Sequence, residues 1–129
     1  MPSPTRRDSA WRVLLALLAA LVAALALTPA PPERLSLGWD KINHLSAFGA
    51  LAVCVMFGWR DAPVAQRAML LALLAFGGAI ELLQRYVPGR SAEWADLLAD
   101  GIGIVAGALL ALLARWWLRR RRGTQQSPP

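Results

Sequence analysis

An all-α, four-helix transmembrane bundle is the fold class the sequence predicts, on three observations. Four stretches carry no charge at all: Val13–Leu27, Leu45–Phe57, Ala68–Ile80 and Gly101–Ala114. With their semi-polar flanks, each approaches the roughly 20 residues that a helix needs to cross about 30 Å of hydrocarbon. Composition agrees, with 57% hydrophobic against 17% charged residues, and the charges sit in clusters between the apolar runs. A soluble domain of 129 residues would scatter its charges along every helix. Finally, all six tryptophans (Trp11, Trp39, Trp59, Trp94, Trp116 and Trp117) stand at the edges of apolar runs. That is the headgroup level, where the ring finds an apolar medium and its N–H a polar partner. Four apolar runs in so short a chain leave no polar faces to enclose them, which excludes a soluble globular domain.

Taken in order, residues 1–10 are polar and hold Pro2, Pro4 and the Arg6–Arg7 pair, and read as a cytoplasmic tail. The membrane domain spans 11–118. Its first helix covers about 11–28, and Pro29, Pro31 and Pro32 stop it, because proline lacks the N–H and clashes with the preceding turn. The basic start, the apolar run and the small residues near Ala30 also fit a cleavable leader. The length of the run and the prolines that would follow a cut argue for a retained helix. A second helix is expected over about 40–59. The link Arg60–Arg67 holds an Asp61-Ala62-Pro63 turn, and the third helix follows over about 68–87. Pro88-Gly89-Arg90-Ser91 is a second turn signal, and the fourth helix runs over about 94–118. Residues 119–129 form a basic and polar cytoplasmic tail.

Lysine and arginine set the expected orientation. With the N-terminus inside, the inner segments hold ten (Arg6, Arg7, Arg12, Arg60, Arg67, Arg115 and Arg119–Arg122) and the outer segments four (Arg34, Lys41, Arg85 and Arg90). Both termini are therefore expected on the cytoplasmic side. The net charge of +6 comes mostly from arginines that flank apolar runs, and no aromatic interleaving accompanies them, so nucleic acid is not an expected partner. Cys54, the single cysteine, falls inside an apolar run and reads as a small core residue.

On this topology the informative polar residues share the outer side. The second helix opens with Asp40, Lys41 and His44, and the spacing of Asp40 and His44 puts them on one face. The third carries Glu81 and Gln84 near its outer end. The turn offers Arg90 and Ser91, and the fourth helix opens with Asp96 and Asp100. Gly103 and Gly107 continue the same stripe as a GxxxG pair, which lets a neighbouring helix approach closely. Each polar residue has an ordinary reading by itself. Asp40 and Asp96 suit helix N-termini, His44 suits a structural hydrogen bond, and an Arg90–Glu81 pair would fix helix register. Together they exceed what anchoring needs and point to a shared outer cavity. Glu81 is the hardest to dismiss, since a charged carboxylate within the hydrocarbon costs on the order of 2.5–3.5 kcal/mol. Arg90 is its expected partner, with Lys41 and His44 as alternatives.

These residues resemble a known family. Asp40-Lys41-Ile42-Asn43-His44 with Phe48 looks like the opening motif of the VanZ-like membrane proteins. Glu81-Leu82-Leu83-Gln84, Pro88-Gly89-Arg90-Ser91, Asp96-Leu97-Leu98-Ala99-Asp100 and then Gly103 with Gly107 look like its second motif. The resemblance covers about residues 38–110. It departs at Asp100, where the family usually has asparagine. It implies a small multi-pass protein of the bacterial cytoplasmic (inner) membrane. The founding member of the family is associated with resistance to the glycopeptide teicoplanin.

Three functions remain open on the sequence. One is an envelope-protection protein whose outer vestibule engages a lipid, a cell-wall precursor or a glycopeptide-type antibiotic. A second is a small intramembrane enzyme acting on a lipid-linked substrate by acid–base chemistry. Such an enzyme could instead use a divalent cation held by His44 and nearby carboxylates. No nucleophile motif is present, since Ser91 lacks an elbow and Cys54 lies in an apolar run. A third is a structural subunit, for which the GxxxG pair favours association, including with a second copy of the chain. The lipid bilayer is the expected surrounding in all three, and the sequence assigns no cofactor.

Overall fold

The structure, a computed structural model, describes residues 5–29, 40–90 and 92–124, and at Asp40 and residues 122–124 the backbone alone. It contains four helices: α1 (Arg6–Ala26), α2 (Asp40–Gly58), α3 (Pro63–Gln84) and α4 (Trp94–Thr124). All four are long and apolar enough to cross a membrane. The described residues include no strand. The fold is therefore an all-helical, multi-pass membrane bundle.

Its helix boundaries differ from the expected ones where local chemistry extends or ends a helix. α1 starts at Arg6 rather than near Trp11, so residues 6–10 are helix and not tail. Thr5 and Asp8 form a capping box: the Asp8 N–H donates to Thr5 Oγ1 at 3.3 Å and the Thr5 N–H to Asp8 Oδ2 at 2.9 Å. α3 starts at Pro63, which turns most of the 60–67 link into helix. Proline is favoured there because its absent N–H lies among the donors that a first turn leaves unpaired anyway. The helix stops at Gln84, short of Val87, and the chain reverses through Gly89, whose φ of +79° suits glycine. α4 continues past Leu118 to Thr124. Arginines stack on tryptophans one turn earlier there, Arg120 at 4.0 Å over Trp116 and Arg121 at 3.5 Å over Trp117.

Successive helices alternate in direction, and contacts at both ends show it. Arg12 near the start of α1 donates to the Gly58 carbonyl at the end of α2, at 2.8 Å. The Trp11 ring stacks on Phe57 with centroids 5.0 Å apart. At the other end, Gln84 of α3 donates to the Ala26 carbonyl of α1 at 3.1 Å. α2 and α4 consequently run parallel.

The core lies along α2, which contacts all three other helices. Phe48, Leu51, Ala52, Cys54 and Val55 of α2 are buried, joined by Leu15 of α1, Leu73 and Ile80 of α3, and Ile104 of α4. The α2–α4 seam is a glycine contact. A Cβ on Gly103 would meet the Leu45 carbonyl of α2, and one on Gly107 would stand 2.9 Å from the Gly49 Cα. Backbones this close gain dispersion and Cα–H···O contacts, which drive helix pairing where no water is displaced. The outer surface is apolar, with Leu17 64% exposed, Leu71 69% and Leu113 62%. Such a surface has lipid as its natural solvent.

Candidate functional site

α2 and α4 begin, and α3 ends, at one end of the bundle. The alternation of helices delivers the polar residues of three segments to that end. Glu81 sits one turn before the end of α3 and is buried at 7% exposure. Its Oε2 accepts from the Glu93 N–H at 3.0 Å, at the lead-in to α4. A carboxylate is at home there, because helix N-termini present unpaired N–H groups and a positive dipole end. Its Oε1 is buried and has no hydrogen-bond partner among the described residues.

Asp96 and Asp100 stand one turn apart on α4, at 2% and 0% exposure. His44 of α2 reaches Asp100, with Nδ1 2.9 Å from Oδ1. Asp100 Oδ2 is buried without a hydrogen-bond partner among the described residues. It rests against Gly77 of α3, where a Cβ would meet that oxygen and come within 3.2 Å of the Phe48 ring. Gly77 is thus the gap in α3 that admits the Asp100 carboxylate. Lys41 lies above the group, with Nζ 3.0 Å from Glu93 Oε2 and 3.7 Å from Asp96 Oδ1.

One nitrogen of His44 and one carboxylate oxygen each from Glu81 and Asp96 lie within 4.8 Å of one another. Three buried carboxylates and one imidazole therefore lie close together, with the Lys41 ammonium at their edge. Unpaired charge in a buried setting is expensive, and Glu81 Oε1 and Asp100 Oδ2 are two oxygens that the described residues leave without a hydrogen bond.

Two of the sequence candidates serve a different purpose. Arg90 does not pair with Glu81. Its guanidinium donates from Nη2 to the Leu25 carbonyl at 3.1 Å and from Nε to the Thr28 carbonyl at 3.4 Å. α1 ends with no basic residue in its last turn, so Arg90 supplies the cation and the donors that its terminal carbonyls need. Gln84 donates to Ala26 of the same turn. Gln84 of α3 and Arg90 of the turn that follows it thus hold the end of α1 rather than join the carboxylates. Ser91 and the side chain of Asp40 lie outside the described residues.

Sequence reasoning missed Glu93, Gly77 and Gly49. Glu93 was legible only as part of a helix start. The two glycines stand inside apolar helices, where each costs helix stability relative to alanine, and that cost was the available signal.

A cleft of about 380 Å³ opens between α3 and α4 beside Glu81, lined among others by Gly78, Arg85, Glu93, Trp94 and Leu97. A second, predominantly apolar groove is lined by Trp94 and Leu97 and, further down the same flank, by Val105 and Leu109. The two share Trp94 and Leu97, so the cleft at Glu81 and the apolar groove lie next to each other on the α3–α4 flank of the bundle.

No curated protein and no solved structure matched the chain significantly. A family model described as VanZ/LLP1 matches residues 5–115.

Proposed function

The chain belongs to the VanZ/LLP1 family, and from that membership and the geometry above we propose that it binds a membrane amphiphile. The polar head would sit at the Glu81 end of the α3–α4 cleft and the hydrocarbon in the groove below it. One observation carries this reading: the cleft that reaches Glu81 adjoins an apolar groove on the outer flank of α3 and α4, with Trp94 and Leu97 lining both. A water-soluble ligand has no use for such a groove, whereas a lipid, a lipid-linked cell-wall precursor or an amphiphilic glycopeptide does. Arg85 and Glu93 at the rim supply charges for a head group, and Trp94 an amphipathic edge.

The Lys and Arg balance of ten to four supports an orientation with both termini in the cytoplasm. The carboxylate end then faces outward from the inner membrane, and engagement of an outer-leaflet amphiphile would protect the envelope. Reporter fusions in the 60–67 link are expected to read cytoplasmic. A periplasmic signal there would invert the site and remove the envelope-protection reading.

Binding is tested by native mass spectrometry of protein extracted with its membrane lipids. Gly78 lines the cleft, and a Cβ there meets only Leu97 Cδ1 at 4.0 Å. Gly78→Phe should therefore fill the cleft without moving backbone. The wild type is expected to retain a one-to-one amphiphile adduct, reduced by about tenfold in the variant, which corresponds to about 1.4 kcal/mol of binding. Equal adducts in both proteins would remove the cleft from the function. A second reading, chemistry on the bound head group, is favoured by the buried carboxylate oxygens of Glu81 and Asp100 that lack hydrogen-bond partners.

A further inference from the structure

We propose that His44, Glu81 and Asp96 bind a divalent transition-metal ion of the Mn²⁺ or Zn²⁺ type, with Asp100 positioning the imidazole. Three elements contribute one ligand each: α2 gives His44, α3 gives Glu81 and α4 gives Asp96. Their ligand atoms lie within 4.8 Å of one another. Metal–ligand bonds of about 2.0–2.2 Å bring opposed ligands to about 4 Å, so small rotations of the side chains suffice.

The hydrogen bonding of Glu81 leaves one of its oxygens over. Glu81 Oε2 is committed to the Glu93 N–H, which leaves the buried Oε1 for the ion. His44 Nδ1 lies 2.9 Å from Asp100 Oδ1, so Nε2 is the ring nitrogen that would face the ion. A carboxylate on the far nitrogen of a ligating histidine fixes its tautomer and raises its basicity. Asp100 is itself held in place by the space at Gly77.

Charge argues the same way. Glu81, Asp96 and Asp100 bring three carboxylates to one buried site. Lys41 lies toward Glu93 and Asp96, with Nζ 3.0 Å and 3.7 Å from them. A divalent ion would offset carboxylate charge in this buried setting. One imidazole with carboxylate oxygens suits Mn²⁺ and Zn²⁺, and lacks the thiolates that copper(I) or an iron–sulfur cluster would call for. On the amphiphile reading, the ion would meet the polar head in the cleft.

The test uses the full chain in nanodiscs of phosphatidylcholine, stripped with a chelator and returned to buffer. Mn²⁺ is added and the free ion is followed by electron paramagnetic resonance, after which Zn²⁺ is added in competition. One Mn²⁺ per chain is expected, displaced by one equivalent of Zn²⁺. Near-isosteric Glu81→Gln and Asp96→Asn are each expected to weaken binding by at least about tenfold. Asp61→Asn, at the opposite end beside Arg60, is expected to leave it unchanged. Circular dichroism and size-exclusion profiles establish that each variant is folded. Should a variant not fold, the wild-type titration decides alone: no saturable one-to-one site there overturns the proposal. Binding that survives both substitutions in folded protein overturns it equally. The titration reads the ion and not the amphiphile, so its failure leaves the amphiphile reading standing, and failure of the lipid-adduct experiment leaves the metal site standing.

Discussion

Gly107→Val is expected to abolish the folded, monodisperse protein, and Gly103→Val to come close to doing so. A Cβ on Gly107 would meet the Gly49 carbonyl and lie 2.9 Å from the Gly49 Cα; on Gly103 it would meet the Leu45 carbonyl and lie 3.1 Å from the Leu45 Cα. Every one of these atoms is backbone, so no side chain can turn aside and α2 and α4 must separate. Overpacking of a core costs about 1–3 kcal/mol where side chains adjust, and a rigid backbone contact falls at the upper end or beyond it. The consequence spreads, because α2 holds the core residues that α1 and α3 pack upon. Gly101→Val is the control: a Cβ there meets only Leu74 Cδ1, at 3.8 Å. Valine is no worse than glycine in a helix, so this variant is expected to behave like the wild type. Size-exclusion recovery and thermal midpoint in detergent make the comparison. A Gly107→Val protein that melts with the wild type would disprove the close α2–α4 seam. The same geometry bears on self-association. The GxxxG stripe is covered by α2 of its own chain, so it offers no surface to a second copy.

The fold was legible because a bilayer reads sequence coarsely. Length and polarity decide whether a segment can span, and the four charge-free runs met that criterion with no knowledge of packing. Helix ends were less legible because they depend on short-range competition. Thr5 with Asp8 extends α1 backwards, and Pro63 starts α3 inside what looked like a polar link. Residue spacing shows which side chains share a face, and that sufficed to group His44, Glu81, Asp96 and Asp100 on neighbouring helices. Partner choice was not legible. Glu81 and Arg90 are opposite in sign and close in sequence, so they looked like a pair. The pairing depends on where α1 ends, and its terminal carbonyls outcompete Glu81 for the guanidinium. The Glu81 carboxylate meanwhile finds a backbone N–H at Glu93, a donor that no reading of side-chain types reveals. Gly77 illustrates the same limit, since its role is the volume it leaves for a carboxylate on another helix.

His44→Ala should be among the most damaging single substitutions at the polar end, and Asp100→Asn should offset much of that damage. Asp100 has 0% exposure, its Oδ1 has His44 at 2.9 Å, and its Oδ2 has no hydrogen-bond partner among the described residues. Removing the imidazole leaves a carboxylate inside the bundle with neither a hydrogen bond nor a counter-charge at that oxygen. Breaking a buried pair by deleting one partner costs about 3–5 kcal/mol, because the surviving charge is stranded. Asp100→Asn alone has a different effect. The amide oxygen still accepts from the ring, the side chain keeps its volume against Gly77, and one buried charge disappears. That variant is expected to lie within about 1 kcal/mol of the wild type. In the double variant no charge is stranded, so its destabilisation should fall short of the sum of the singles by about 1–3 kcal/mol. Reversible unfolding in mixed detergent micelles measures the cycle. An additive result would mean that His44 and Asp100 do not interact energetically, and the imidazole would then lose the partner that orients it toward Glu81 and Asp96.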